Sequence, residues 1–226
     1  MLFDADYYIE INLKRWAVAE RLLDQLPELH TCLDVGCGPG WFSARLAARG
    51  LAVLALDGRA ELIEEARRRT PSILFSVANV QSLDAMAAIP AVDIVFCFGL
   101  LYHLENPFAA IRNLRRCTRK HLLIETQILP ASEPYARLIS EGRNETQGLD
   151  FHSLVLSRAA LVKMLFVAGF RSVERYVGDV DHEDFQDTPA KKHRREIFLI
   201  GDLPAGLPNF ETLTDPVSHK IDYQIR

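Results

Sequence analysis

Apolar residues recur at helical spacing between Asn12 and Leu26, at Leu13, Trp16, Ala17, Ala19, Leu22, Leu23 and Leu26, and Pro27 closes the segment. Beyond it the period changes. Short apolar runs predict strands at about 31–35, 52–56, 73–77, 92–97 and 121–126. Between them, helical patterns fall at about 41–48, 60–69 and 107–116, with a short helix near 84–88. Further on, Ser157 stands as the cap of a helix running to Ala168 and closed by Gly169. Strands follow at about 172–177 and 196–200. Strands alternating with helices predict an α/β fold: a doubly wound, mostly parallel sheet with helices on both faces. No helix-sized pattern separates the last two strands, which predicts an antiparallel final pair.

The 226 residues fit one domain. Residues 1–30 read as an N-terminal helical cap. Residues 128–156, with weak periodicity and mixed polarity, read as a lid or substrate segment. Residues 202–226, with Pro204, Pro208 and Pro216, read as an irregular tail. No apolar run reaches the ~20 residues of a membrane span, and the acidic N-terminus lacks the order of a secretory signal. Cys32, Cys37, Cys97 and Cys117 show no metal-ligand spacing, so reduced, packed thiols in a cytoplasmic protein are expected, and no metal site. The net charge of −4 removes the bulk attraction behind non-specific nucleic-acid binding. One basic run, Lys191 to Arg195, could form a local patch. The competing reading is a solvated loop, offset by the acidic stretch from Asp179 to Asp187.

Candidate chemistry concentrates after the first strand, in Asp34-Val35-Gly36-Cys37-Gly38-Pro39-Gly40. Glycines at a strand-to-helix turn let an elongated polar ligand lie against bare backbone at a helix N-terminus. The second strand ends in Asp57, placed to accept hydrogen bonds from ribose hydroxyls. The two together predict a nucleoside-containing cofactor. The third glycine is misplaced for the dinucleotide pattern G-x-G-x-x-G. The order instead resembles motif I of class I methyltransferases that use S-adenosylmethionine (SAM). That resemblance implies a seven-stranded sheet with a reversed last strand, and SAM as cofactor.

The cofactor set is then expected to comprise Asp34, Gly36, Cys37, Gly38, Gly40, Asp57, Gly58, Asn79, Val80, Phe98, Gly99 and Tyr102. Asn79 stands where the family commonly has an acid beside the adenine; helix capping is its other reading. The block from Phe98 to Pro107, containing Gly99-Leu100-Leu101-Tyr102-His103, resembles motif IV of small-molecule methyltransferases. It is also similar to the matching segment of the tRNA wobble-uridine carboxymethyltransferase family. In that family basic residues follow the Tyr-His pair, whereas Leu104 and Glu105 stand here.

His103, at a predicted strand tip, is the candidate general base; loop bracing and simple substrate contact are the alternatives. Tyr102 either orients substrate or packs as a core aromatic. Glu125, Tyr135, Arg143 and His152 are candidate substrate contacts, with Arg137 and Ser153 beside them in the lid segment. Arg15 and Trp16 could cover the cofactor, with a surface salt bridge as the competing reading for Arg15. The expected function is SAM-dependent methyl transfer to an oxygen or nitrogen of a small molecule, a sugar or secondary metabolite. A tRNA wobble-uridine-type modifying enzyme and a non-catalytic SAM-binding subunit are the alternatives.

Overall fold

The structure, a computed structural model, describes residues 1–26, 28–186, 193–201, 203 and 207–216. Its strands are β1 (Thr31–Val35), β2 (Ala52–Asp57), β3 (Leu74–Val77), β4 (Val92–Phe98) and β5 (Thr118–Leu129), then β6 (Ala136–Ser140), β7 (His152–Ser157), β8 (Val173–Tyr176), β9 (Arg194–Gly201) and β10 (Phe210–Leu213). The helices are α1 (Asp6–Leu23), α2 (Trp41–Ala48), α3 (Ala60–Arg69), α4 (Leu83–Ala87), α5 (Pro107–Cys117) and α6 (Arg158–Val167). The sheet order is β10-β8-β9-β5-β4-β1-β2-β3. Strands β3, β2, β1, β4 and β5 are parallel, and β9 runs antiparallel to both β5 and β8. The expected reversed strand is therefore β9, wedged between β5 and β8.

Side-chain alternation explains why both faces carry helices. Along β4, Ile94, Phe96 and Phe98 join the core formed with α1, α2 and α3, while Val95 and Cys97 join the core under α5 and α6. A strand buried on both sides must be apolar at successive positions, as this one is from Ile94 to Phe98. Helix starts follow side-chain chemistry. Asn106 accepts from the Ala109 amide at 3.0 Å with Pro107 in the first turn of α5, and Ser157 accepts from the Ala160 amide at 3.2 Å to start α6.

Four features differ from the sequence expectation. Helix α1 begins at Asp6 rather than near Asn12, bringing Tyr7 and Tyr8 into it. Residues 128–156 are not merely irregular: β6 and β7 form a hairpin from Ala136↔Leu156 to Ser140↔His152, and β7 extends β5 at Ile128↔Leu156. Every β6 residue is exposed, so no inside–outside alternation marks it. In the tail, β10 pairs with β8 from Phe210↔Tyr176 to Leu213↔Val173. Finally, Arg194 and Arg195 belong to β9 instead of a solvated loop, and Arg195 is buried; Lys191 and Lys192 lie outside the described residues. Among the described residues no helix is long and apolar enough to cross a membrane.

Candidate active site

The turn after β1 is held by backbone hydrogen bonds. The Gly36 and Cys37 amides both donate to the Leu56 carbonyl of β2, at 2.8 and 2.9 Å. Gly36 and Gly38 have φ of 76° and 53°, and a Cβ on Gly36 would meet Leu100 at 3.0 Å, so a side chain there would strain the turn and crowd the next loop. Asp57, at the tip of β2, accepts from the Gly38 amide (2.9 Å) with one oxygen and from the Arg59 amide (2.9 Å) with the other. Each carboxylate oxygen keeps acceptor capacity for a further donor. Burial pushes the Asp57 carboxyl up, against the opposing pull of these two amides.

A cavity of about 530 Å³ opens on this turn, within the range of small-molecule and cofactor sites. Asp57, Gly58, Asn79, Val80, Gly99, Tyr102 and His103 all line it. Tyr7, Tyr8, Asn12 and Arg15 of α1 form one wall, and the 139–149 segment forms another. That segment is tied to the cofactor side: Arg59 Nη2 donates to the Gln147 and Gly148 carbonyls at 2.9 and 2.8 Å. It is tied to the N-terminus by the Leu2 amide, which donates to Glu145 at 2.8 Å.

Two polar constellations adjoin His103 and Tyr102. His103 Nδ1 lies 2.6 Å from Glu141 Oε1, and Glu141 Oε2 accepts from the Gly148 amide at 2.7 Å. Burial opposes ionisation of Glu141, but the partner imidazole and that amide outweigh it and hold its carboxyl below the usual value. In the second constellation, fully buried Glu125 sits between two guanidinium groups. Arg195 Nη1 is 3.0 Å from Oε1 and Arg15 Nε is 3.3 Å from Oε2. Arg195 also donates to Tyr102 Oη (2.9 Å) and to Asp184 (3.1 Å), which in turn accepts from Tyr7 Oη at 2.6 Å. Burial works against the Arg195 charge, but Tyr102 and Glu125 prevail and hold its pKa high. Burial and the like charge of Arg195 push Arg15 down, against Glu125.

Residues 33–123 match the family model described as a methyltransferase domain. Trans-aconitate 2-methyltransferase of Methylobacterium nodulans is 33% identical over 118 residues, covering 50% of this chain and 45% of that protein. The tRNA U34 carboxymethyltransferase of Desulfotalea psychrophila is 27% identical over 184 residues, covering 76% of this chain and 54% of that one. The chain thus spans about half the length of these two relatives. Among solved structures, the N-terminal domain of EvdMO1, crystallised in the presence of S-adenosylhomocysteine (SAH) and D-fucose, superposes with a TM-score of 0.69 at 22% identity, covering 82% of this chain and 81% of that one.

Residues 33–123 are similar to a methyltransferase domain, and the fold is that of solved SAM-dependent methyltransferases.

The expected cofactor residues Gly36, Cys37, Gly38, Asp57, Gly58, Asn79, Val80, Phe98, Gly99 and Tyr102 all line the cavity, as does His103. Asn79 also caps locally, accepting from the Gln81 amide at 2.9 Å. Several expectations need correcting. Asp34 lies behind the turn, buried, bonded to Ser43 of α2 at 2.5 Å; it braces the turn from within the core. Gly40 faces Phe75 and Ala66 rather than the cavity. Glu125 is sealed between its two arginines and does not line the cavity. Tyr135, Arg143 and His152 are exposed on the hairpin side, outside the cavity lining, as is Arg137; Ser153 is buried but also outside it. Trp16 packs in the core, and Arg15 makes a buried ion pair, not a surface one.

Sequence reasoning missed Tyr7, Tyr8, Asn12, Arg59, Glu141 and Arg195 as cavity residues. A signal existed for Arg195, since Arg195-Glu196-Ile197 begins an apolar strand that must pair deep in the sheet. None existed for Glu141, whose partner is 38 residues away.

Proposed function

We propose that this domain transfers the methyl group of SAM to an oxygen or nitrogen of a small molecule, with His103 as general base. The observation that carries the reading is the single cavity joining the Gly36–Gly38 turn and Asp57 to the His103 imidazole. The donor set fits the cofactor. Asp57 keeps acceptor capacity for two ribose hydroxyls, and Asn79 would hold the adenine while the Gly36–Gly38 backbone and Gly99, which line the same cavity, would hold the methionine half. When bound, SAM supplies a methyl group already activated on a sulfonium. The chain's own work is alignment and water exclusion, where proximity alone contributes up to about 7–11 kcal/mol. Tyr7, Tyr8 and the 139–149 segment close the cavity around the acceptor, and His103 Nε2 receives its proton.

Relatives named for trans-aconitate and a structure crystallised with D-fucose support a small hydroxylated or acidic acceptor. A second reading, modification of tRNA, is favoured by the long match to the tRNA U34 carboxymethyltransferase. Against it, Arg195 of the basic run is buried and Arg194 is paired with Glu196 at 2.7 Å. All four cysteines are unpaired and buried, in keeping with a cytoplasmic setting.

The test is calorimetric titration with SAH beside NAD, followed by a transfer assay over small acids, sugars and tRNA. Micromolar SAH binding, no NAD binding, and salt-insensitive turnover of a small acceptor support the reading. Turnover only of tRNA, falling steeply with salt, replaces it with the second. SAH binding without turnover of any acceptor would favour a non-catalytic subunit.

A further inference from the structure

His103 does not stand alone at the acceptor end of the cavity. Its Nδ1 meets Glu141 Oε1 at 2.6 Å, and both side chains are largely withdrawn from solvent, 13% and 7% exposed. The carboxylate is itself fixed, because its second oxygen accepts from the Gly148 amide at 2.7 Å. Residue 148 must come this close: a Cβ there would lie 2.2 Å from the His103 carbonyl, a distance only glycine avoids. The same stretch of chain is anchored from the cofactor side, where Arg59 donates to the Gln147 and Gly148 carbonyls and Leu149 packs on Gly58. Glu141 is thus held by one loop that touches both the ribose end and the base.

We propose that Glu141 is the positioning residue of His103, fixing the imidazole as the Nδ1–H tautomer with the Nε2 lone pair turned to the acceptor. This rests on the reading of His103 as base. A carboxylate can only accept, so Nδ1 carries a proton, and in the neutral imidazole Nε2 is then the nitrogen with the free lone pair. On transfer, Nε2 takes the acceptor's proton and the acceptor oxygen bonds the methyl carbon as the carbon–sulfur bond breaks. The bonding pair stays on sulfur. The resulting imidazolium donates from Nδ1 to Glu141, which stabilises it without leaving its place. Because residues 141–149 also rest on the Asp57–Arg59 loop, the base is assembled where the cofactor's ribose end is gripped.

The test is nitrogen-15 NMR of the imidazole in the SAH complex, assigned with His103→Gln and needing no acceptor. Wild-type protein should show His103 predominantly in the Nδ1–H form. Glu141→Ala should move it towards the Nε2–H form that free histidine prefers, and Glu141→Gln, whose oxygen keeps the Gly148 bond and whose amide NH2 then donates to Nδ1, should give the Nε2–H form outright. A wild-type Nε2–H imidazole, or the same tautomer in all three proteins, overturns the proposal. Should Glu141→Ala fail to fold, Glu141→Gln against wild type decides alone. Failure of the base reading is separate: it would appear as a His103→Ala enzyme with undiminished turnover while the tautomer shift persists.

Discussion

Arg195 Nη1 and Glu125 Oε1 face each other at 3.0 Å inside the molecule, although 70 residues separate them. They are cross-strand neighbours, since Glu125↔Ile197 and Gln127↔Arg195 are register partners of β5 and β9, and the fully buried carboxylate also meets Arg15 of α1. One carboxylate therefore links the reversed strand to the helix that walls the cavity. Breaking a buried pair on one side leaves an uncompensated charge, which costs about 3–5 kcal/mol.

Arg195→Met should accordingly lower stability by about 3–5 kcal/mol, near 6–20 °C in Tm for a chain of this size. The triple change Arg195→Met, Glu125→Met and Arg15→Met, which removes all three charges of the buried group, should lose less than the single one. Chemical denaturation of the two proteins checks this, and a single variant as stable as wild type would mean the pair is not buried as described.

Much of this architecture was legible in the chain. The strands β1, β2 and β4 and the turn at Gly36–Gly40 follow from apolar runs, glycine spacing and the acid at position 57, all local signals. What sequence could not supply were partners brought together by topology. Glu125 reads from sequence as a substrate contact or, since it alternates with apolar neighbours, as a solvent-facing strand residue, yet β9 covers it with Arg195 on one side and α1 with Arg15 on the other. Glu141 lay in a stretch without period, and its role depends on a loop that folds back onto His103. The hairpin residues Tyr135, Arg143 and His152 drew notice for their chemistry but point outside the cavity, since exposed β6 carries no core signal.

Asp57→Ala removes the carboxylate that fixes the Gly38 amide and faces the ribose position. SAH affinity should fall by about 1.5–3 kcal/mol, some 10–150-fold. Isothermal titration of the folded variant measures it. Unchanged affinity would take Asp57 out of the cofactor contacts.

Asp34 bears on stability through pH. Burial lifts its carboxyl to about 7, against the Ser43 hydrogen bond that lowers it, with the Asp57 charge pushing further up. The folded state thus keeps a proton that the unfolded chain releases near 3.8. Stability from this site is full below the lower value and is lost as pH rises towards the higher one. Wild-type stability measured relative to Asp34→Asn should decline from about pH 4 to about pH 7 and then level off. A flat difference across that window would show that Asp34 ionises normally in the fold.

His103→Ala is the sharpest probe of chemistry. The imidazole lines the cavity beyond the cofactor turn, so SAH affinity should stay within about twofold of wild type. Turnover on an acceptor hydroxyl should drop by about 10²–10⁴, the usual contribution of a positioned base. The fall should appear in kcat rather than KM, because a proton acceptor acts in the transition state and adds little to ground-state binding. An acceptor that is already deprotonated at assay pH should escape most of the loss, which separates a base from a brace. Equal losses on both acceptors would assign His103 to holding the 141–149 loop in place, through Glu141 and the close approach of Gly148.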